Sequence, residues 1–180
     1  LPRMIVFDLD NTLWTPELYT LRHIRGYASA APPGPQADID LWLVDGALQV
    51  LHELAASERW LASGMCVAVA SKTTKGAWAR SLLAQLRVPT TASASPVRLC
   101  DLFSHVEIRE GSKLAHFENL LDATGIAYED MLFFDDARGG KYGNCEPVSK
   151  LGVLSVHTPE GLTRELFSLG LREFAVRKAA

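Results

Sequence analysis

The chain has 180 residues, 48% of them hydrophobic and 22% charged, enough for one well-filled core and short of two full domains. That balance excludes an intrinsically disordered chain. Three cysteines without CxxC spacing exclude both a disulfide framework and a tetrahedral zinc site. Eighteen Lys plus Arg against 21 Asp plus Glu leave a net charge of −3, so no long-range field gathers nucleic acid, and no nucleic-acid partner is expected.

The first element is the apolar run Met4–Phe7, which lacks alternation and reads as a strand buried on both faces. After it, residues 15–43 contain Ala31-Pro32-Pro33-Gly34-Pro35. This is too rich in turn formers for a crossover helix, and it predicts a flap-like insert over one edge of a sheet. Leu48, Leu51, Leu54 and Ala55 follow helical spacing, Gly64 stops that pattern, and a second buried run covers 65–70. Trp78, Leu82 and Leu86 mark the next helix, then come a short Ser/Pro loop and a strand at 106–108. Leu114, Phe117, Leu120 and Leu121 mark another helix, ended by Gly125. Runs at 131–134 and 153–156 complete the strands, with a polar, glycine-rich loop at 138–147 between them. Thr158-Pro159 reads as the N-cap and first residue of a C-terminal helix whose end frays over 177–180. The alternation predicts one domain over 1–180, a three-layer α/β/α, Rossmann-like arrangement with an open parallel sheet of about five strands.

Two of these strands deliver acids at their C-terminal ends. The first leads into Asp8-Leu9-Asp10-Asn11-Thr12, the fourth into Asp135-Asp136, and in open α/β sheets this is the end where ligands bind. Taken singly, Asp8 or Asp135 reads equally well as a turn or helix cap. Taken together, clustered carboxylates repel by about 4 kcal/mol per pair at 4 Å and an effective dielectric near 20, and a hard cation such as Mg²⁺ relieves the cost. A third strand delivers Ser71-Lys72-Thr73-Thr74 to a helix start, where a hydroxyl and free amides either cap the helix or grip a phosphate.

The order and spacing of these groups resemble the haloacid dehalogenase superfamily. Its Asp-x-Asp-x-Thr motif corresponds to Asp8, Asp10 and Thr12, its Ser/Thr motif to Ser71, its lysine to Lys113 in Gly111-Ser112-Lys113, and its acidic pair to Asp135-Asp136. Within the superfamily the wording of the motifs is most similar to the eukaryotic magnesium-dependent phosphatases. The resemblance implies Asp8 as nucleophile through an aspartyl phosphate and Asp10 as general acid and base. It further implies Lys113 as the neutralising catalytic lysine, with Ser71, Lys72, Asn11 and Thr12 toward substrate phosphate. Mg²⁺ would be held by Asp8, the Asp10 carbonyl and Asp135, with Asp136 supporting; Asn144 is expected to hydrogen-bond Asp136. The strand ending at Asp8 is expected between those ending at Asp135 and Ser71.

Neither gap between motifs is long enough for a large cap domain. The expected enzyme is an open-mouthed phosphatase acting on phosphotyrosine-like aryl phosphates or on phosphorylated sugars and glycated amines (fructosamine-type), as small molecules or as a phosphoprotein side chain. A phosphotransferase, or a phosphate-binding scaffold without turnover, are the alternatives. No run of about 18 apolar residues is present, so no membrane partner is expected. A cytoplasmic location and a monomer are the expectations, with any targeting segment ahead of Leu1 left open.

Overall fold

The computed structural model describes residues 1–90 and 95–179. In chain order the elements are β1 (Met4–Phe7), β2 (Trp14–Thr15), β3 (Trp42–Leu43), α1 (Asp45–Ala56), α2 (Glu58–Leu61), β4 (Cys66–Ser71), α3 (Gly76–Gln85), β5 (Arg87–Val88) and β6 (Val97–Arg98). They continue with α4 (Leu99–Leu102), β7 (His105–Ile108), α5 (Lys113–Thr124), β8 (Met131–Asp135), α6 (Cys145–Ser149), β9 (Leu154–His157) and α7 (Arg164–Ala179). Part of the Ser/Pro loop, 91–94, and Ala180 lie outside the described residues.

The central sheet has five strands in the order β7-β4-β1-β8-β9, with every pairing parallel. β1 and β8 are buried throughout, as central strands covered on both faces must be. Alternation then sorts side chains between layers. Ile5, Phe7, Leu132 and Phe134 join the core under α1, α3 and α7, while Met4, Val6, Met131 and Phe133 join the core under α5 and α6. The rings of Phe7 and Phe134, partners in register, stack with centroids 5.4 Å apart. On the other face Phe117 meets Phe133 edge-on at 5.0 Å. Because Phe7 pairs with both Val69 and Phe134, the chain leaves three neighbouring strands at nearly one level, and their loops must converge.

The insert is anchored by more than its ends. β2 and β3 pair as an antiparallel ribbon, Trp14 with Leu43 and Thr15 with Trp42. Between them the chain lies along α3, where Trp78 Nε1 donates to the Ala31 carbonyl at 3.0 Å and Gln85 bridges the Ala37 amide (3.0 Å) and the Pro35 carbonyl (3.3 Å). Gly34 is required there, because a Cβ would stand 2.7 Å from the Trp78 ring.

Four local expectations need correction. Thr158-Pro159 does not start the C-terminal helix: the Thr158 amide extends the β8–β9 pairing by donating to Asp135 O at 2.9 Å, and α7 begins at Arg164. Thr163 takes the capping role, its hydroxyl accepting from Leu166 N at 3.2 Å. The loop at 138–147 is shorter than expected because α6 begins at Cys145. Leu48 stands 37% exposed, so the buried stripe of α1 is carried instead by Ala47, Val50, Leu51 and Leu54. Helical hydrogen bonding continues to Ala179 where fraying was expected. Among the described residues no helix is long and apolar enough to cross a membrane.

Candidate active site

Asp8 follows the last paired residue of β1, and its amide donates to Phe134 O at 3.0 Å, which ties the two strand tips together. The chain then turns sharply: the amides of Thr12, Leu13 and Trp14 all donate to the Leu9 carbonyl at 2.9–3.2 Å. Leu9 and Leu13 are wholly buried beneath the turn. Asn11 takes its left-handed position at φ 57°, a conformation Asn tolerates better than most residues. Thr12 is wholly buried, and its hydroxyl accepts from Asp136 N at 3.0 Å. It clamps the β1 loop to the β8 loop, and neither Asn11 nor Thr12 lines the cavity described below.

Lys113 opens α5, where the Ser112 side chain caps the helix by accepting from Leu114 N at 3.2 Å. Its ammonium is buried and donates to Asp8 Oδ1 at 2.5 Å, to Asp135 Oδ2 at 2.9 Å and to the Ala70 carbonyl. All three N–H bonds are thereby used. Burial pulls the lysine toward neutrality, but attraction by Asp8 and Asp135 outweighs it and lifts Lys113 above its ordinary range. Burial raises Asp8 well above the usual carboxylate range, with Asp135 and Asp10 adding to the rise and Lys113 opposing it.

Asp8, Asp135 and Asp136 each bring an oxygen within 4.8 Å of the others. Three carboxylates against one ammonium leave two negative charges in excess, and burial together with Asp135 pushes Asp136 up to about 6. The donors are all hard oxygens, and the excess equals the charge of one divalent cation, so the set fits Mg²⁺. Asp135 is oriented by Asn144, whose side-chain nitrogen donates to both carboxylate oxygens at 2.9 and 3.0 Å, and by Ala137 N at 2.8 Å. The expected bond from Asn144 to Asp136 is therefore replaced by one to Asp135; the Gly139–Gly143 approach folds the loop tightly enough to bring Asn144 under the β8 tip. A Cβ on Gly143 would come 2.2 Å from the Gly139 backbone.

Asp10 turns away from the three-carboxylate group. Its Oδ1 accepts from Trp14 Nε1 at 2.7 Å and Leu18 N at 3.3 Å, and burial pushes it up to about 6. Trp14 is wholly buried and holds Asp10 with its indole. Ser71 is the last residue of β4, and its hydroxyl accepts from Thr73 N at 3.3 Å. Because α3 begins only at Gly76, Ser71 is no helix cap. Lys72 lines the mouth, but its ammonium donates to the Tyr142 carbonyl at 3.4 Å.

These groups open into a cavity of about 680 Å³ lined by Asp8, Asp10, Ser71, Lys72, Asp136 and Asn144, with Glu17, Tyr19 and Tyr142 at its rim. Sequence reasoning did not single out Glu17, Tyr19 or Tyr142; the one available signal for Tyr142 was an aromatic residue amid three glycines. A second hollow at the opposite end of the strands, about 510 Å³ beside Arg3, Met65 and His105, has no carboxylate in its described lining.

The chain is similar to known proteins along nearly its whole length. The model of the acid phosphatase family matches residues 1–177. Human Magnesium-dependent phosphatase 1 is 35% identical over 97% of this chain and 88% of its own length. A HAD-like hydrolase superfamily protein of Schizosaccharomyces pombe is 29% identical over 84% of this chain and 83% of its own. Among solved structures, a haloacid dehalogenase-like hydrolase from Streptococcus pneumoniae superposes with a TM-score of 0.57 at 13% identity, covering 95% of this chain and 97% of that one. A HAD family enzyme from Bacteroides thetaiotaomicron, in complex with magnesium and inorganic phosphate, gives 0.54 at 11% identity over 86% and 92%. At these identities the structural likeness is one of fold.

Proposed function

This chain belongs to the acid phosphatase family of the haloacid dehalogenase superfamily and is a magnesium-dependent phosphatase, and from that premise we propose that it hydrolyses phosphate monoesters in two steps through an aspartyl phosphate on Asp8. The observation that carries the reading is the Asp8 carboxylate at the cavity floor, held by Lys113 at 2.5 Å and grouped with Asp135 and Asp136 within 4.8 Å. A carboxylate approaching a phosphate dianion meets roughly 8 kcal/mol of repulsion, about 4 kcal/mol for each of two charge pairs at an effective dielectric near 20. One ammonium does not cancel this. Asp8, Asp135 and the Asp10 carbonyl, with Asp136 beside them, would hold Mg²⁺, whose charge would neutralise and orient the phosphoryl oxygens.

The chain's own groups do the rest. Asp8 attacks phosphorus, the bond to the leaving oxygen breaks, and Asp10, steadied by the Trp14 indole at 2.7 Å, gives that oxygen its proton. Asp10 then takes a proton from the water that attacks the acyl phosphate, releasing phosphate and restoring Asp8. Lys113 balances charge on Asp8 throughout, while the Ser71 hydroxyl, whose oxygen accepts from Thr73 N, keeps its own proton to donate to an equatorial oxygen. The substrates we assign are aryl phosphates, phosphotyrosine among them, or phosphorylated sugars of the fructosamine type, admitted because the mouth is bordered by loops, namely the insert, the segment after β4 and the 138–147 loop.

The test is a panel of phosphotyrosine peptide, aryl phosphate and sugar phosphates, assayed with Mg²⁺ or EDTA for wild type and Asp8→Asn. Acid-quenched protein is weighed by mass spectrometry for an added phosphoryl group on the peptide that contains Asp8. Turnover abolished by EDTA and by Asp8→Asn, with the label seen only in wild type, is the expected result. An active Asp8→Asn enzyme would falsify the assignment.

A further inference from the structure

Two lysines of the segment after β4 reach in opposite directions to the two rim loops. Lys72 donates to the Tyr142 carbonyl at 3.4 Å, fastening the glycine-rich loop to the β4 end. Lys75 is only 7% exposed and has no carboxylate partner among the described residues. Its ammonium donates to the Tyr27 carbonyl and lies 3.7 Å from the centroid of the Tyr27 ring. The Tyr27 hydroxyl in turn donates to the Tyr19 carbonyl at 2.7 Å. A buried ammonium is costly unless carbonyls and ring faces replace its water. An apolar side chain would fill this position more cheaply, so the charge on Lys75 serves to hold Tyr27, and through it Tyr19.

Both tied segments carry a tyrosine to the same place. Tyr19 and Tyr142 line the cavity from the β1 and β8 sides and are 51% and 73% exposed; neither is spent on the core. The cavity of about 680 Å³ falls within the roughly 300–1,000 Å³ range of pockets that take a whole small molecule, so most of it faces the leaving group. Tyrosine supplies broad, rigid contact at low entropic cost.

We propose that Tyr19 and Tyr142 are specificity-determining residues that together grip a flat aromatic leaving group, and that Lys75 and Lys72 are the positioning residues that hold them in place. This rests on the phosphatase reading for its substrate and on the rim geometry for its selectivity.

The test separates the two by measuring binding without turnover. Calorimetry with Mg²⁺-loaded full chain compares phenylphosphonate with methylphosphonate, alongside KM and kcat for phenyl phosphate and a small alkyl phosphate. Wild type prefers the phenyl ligand. Tyr142→Ala and Tyr19→Ala each lower that preference about fivefold, Tyr142→Phe keeps it, and the loss for phenyl phosphate falls on KM. Lys75→Met lowers the preference and Lys75→Arg restores part of it. Lys72→Met, a change at a half-exposed position, tests the second tether if the Lys75 variants fail to fold. A phenyl preference untouched by both tyrosine variants, or none in wild type, overturns the proposal even if esters are hydrolysed. Selective phenylphosphonate binding without hydrolysis of any ester would overturn the catalytic reading and leave the rim assignment standing. Failure of both phosphonates to bind overturns both.

Discussion

Asn144 and His116 show how a single side chain acquires its task from what packs against it. Asn144 holds both oxygens of Asp135, so it fixes the plane of a carboxylate that we propose holds Mg²⁺. Asn144→Leu removes both donors in a buried site, and Mg²⁺ affinity, followed by calorimetry, should fall about 10- to 100-fold, the usual cost of losing a partner that orients a metal ligand. His116 is wholly buried, with Nε2 on the Arg109 carbonyl at 2.9 Å and Nδ1 without a partner among the described residues. Burial lowers it below its ordinary 6.5, Lys113 and Arg109 adding to the drop while the Arg109 carbonyl and Glu107 oppose it. Below that value the unfolded chain binds the proton more readily than the folded one. The histidine's contribution to stability is therefore complete above about pH 6.5 and is lost as pH falls through the lower folded value. Urea unfolding between pH 7.5 and 4.5 should show a steeper loss in wild type than in His116→Gln, by up to about 1.4 kcal/mol per pH unit; equal slopes would refute it.

At the scale of elements, close backbone approaches decide what the site can tolerate. α1 starts against the segment leading into α7, and a Cβ on Gly46 would lie 2.2 Å from Leu162 O and 2.6 Å from Thr163 Cα. Backbone cannot swing aside as a side chain does. Leu162 N is itself held by the Thr12 carbonyl at 2.9 Å, so a shift there reaches the β1 turn below Asp8 and Asp10. Gly46→Ala should cost about 1–3 kcal/mol in urea unfolding, the typical penalty of overpacking, and should lower kcat although residue 46 lies outside the mouth. An unchanged midpoint would show that α1 can move freely.

For the whole molecule, the consequence of the architecture is an open mouth. The insert binds down onto α3 through Trp78, Gln85 and Lys75, and among the described residues no further layer covers the ends of β1, β4 and β8. A phosphate carried on a peptide should therefore reach Asp8 about as readily as one on a free amino acid. We expect kcat/KM for a phosphotyrosine peptide within about tenfold of that for phosphotyrosine itself, a difference of about 1.4 kcal/mol. A hundredfold deficit for the peptide would mean that the insert closes over the site.

The sequence by itself determined the sheet and its acids. Continuous apolar runs such as Met4–Phe7 can satisfy both faces only inside a parallel sheet, and Asp8 and Asp135 at their ends leave few other places for a charged site. Lys113 and Ser71 were placed near those acids by the resemblance of the motif order to the haloacid dehalogenase superfamily, and the structure sets each at a strand or helix end. What it could not specify were contacts between segments far apart in the chain. Thr12 to Asp136, Asn144 to Asp135, Lys72 to Tyr142 and Lys75 to Tyr27 are each a matter of one or two hydrogen bonds. Such bonds leave no periodicity to read. Thr158 failed as a cap for the same reason: its amide pairs with β8, its hydroxyl is buried without a partner among the described residues, and α7 begins only at Arg164. Tertiary structure alone decided these, because a polar side chain takes whichever partner the packed strands and loops bring within about 3 Å.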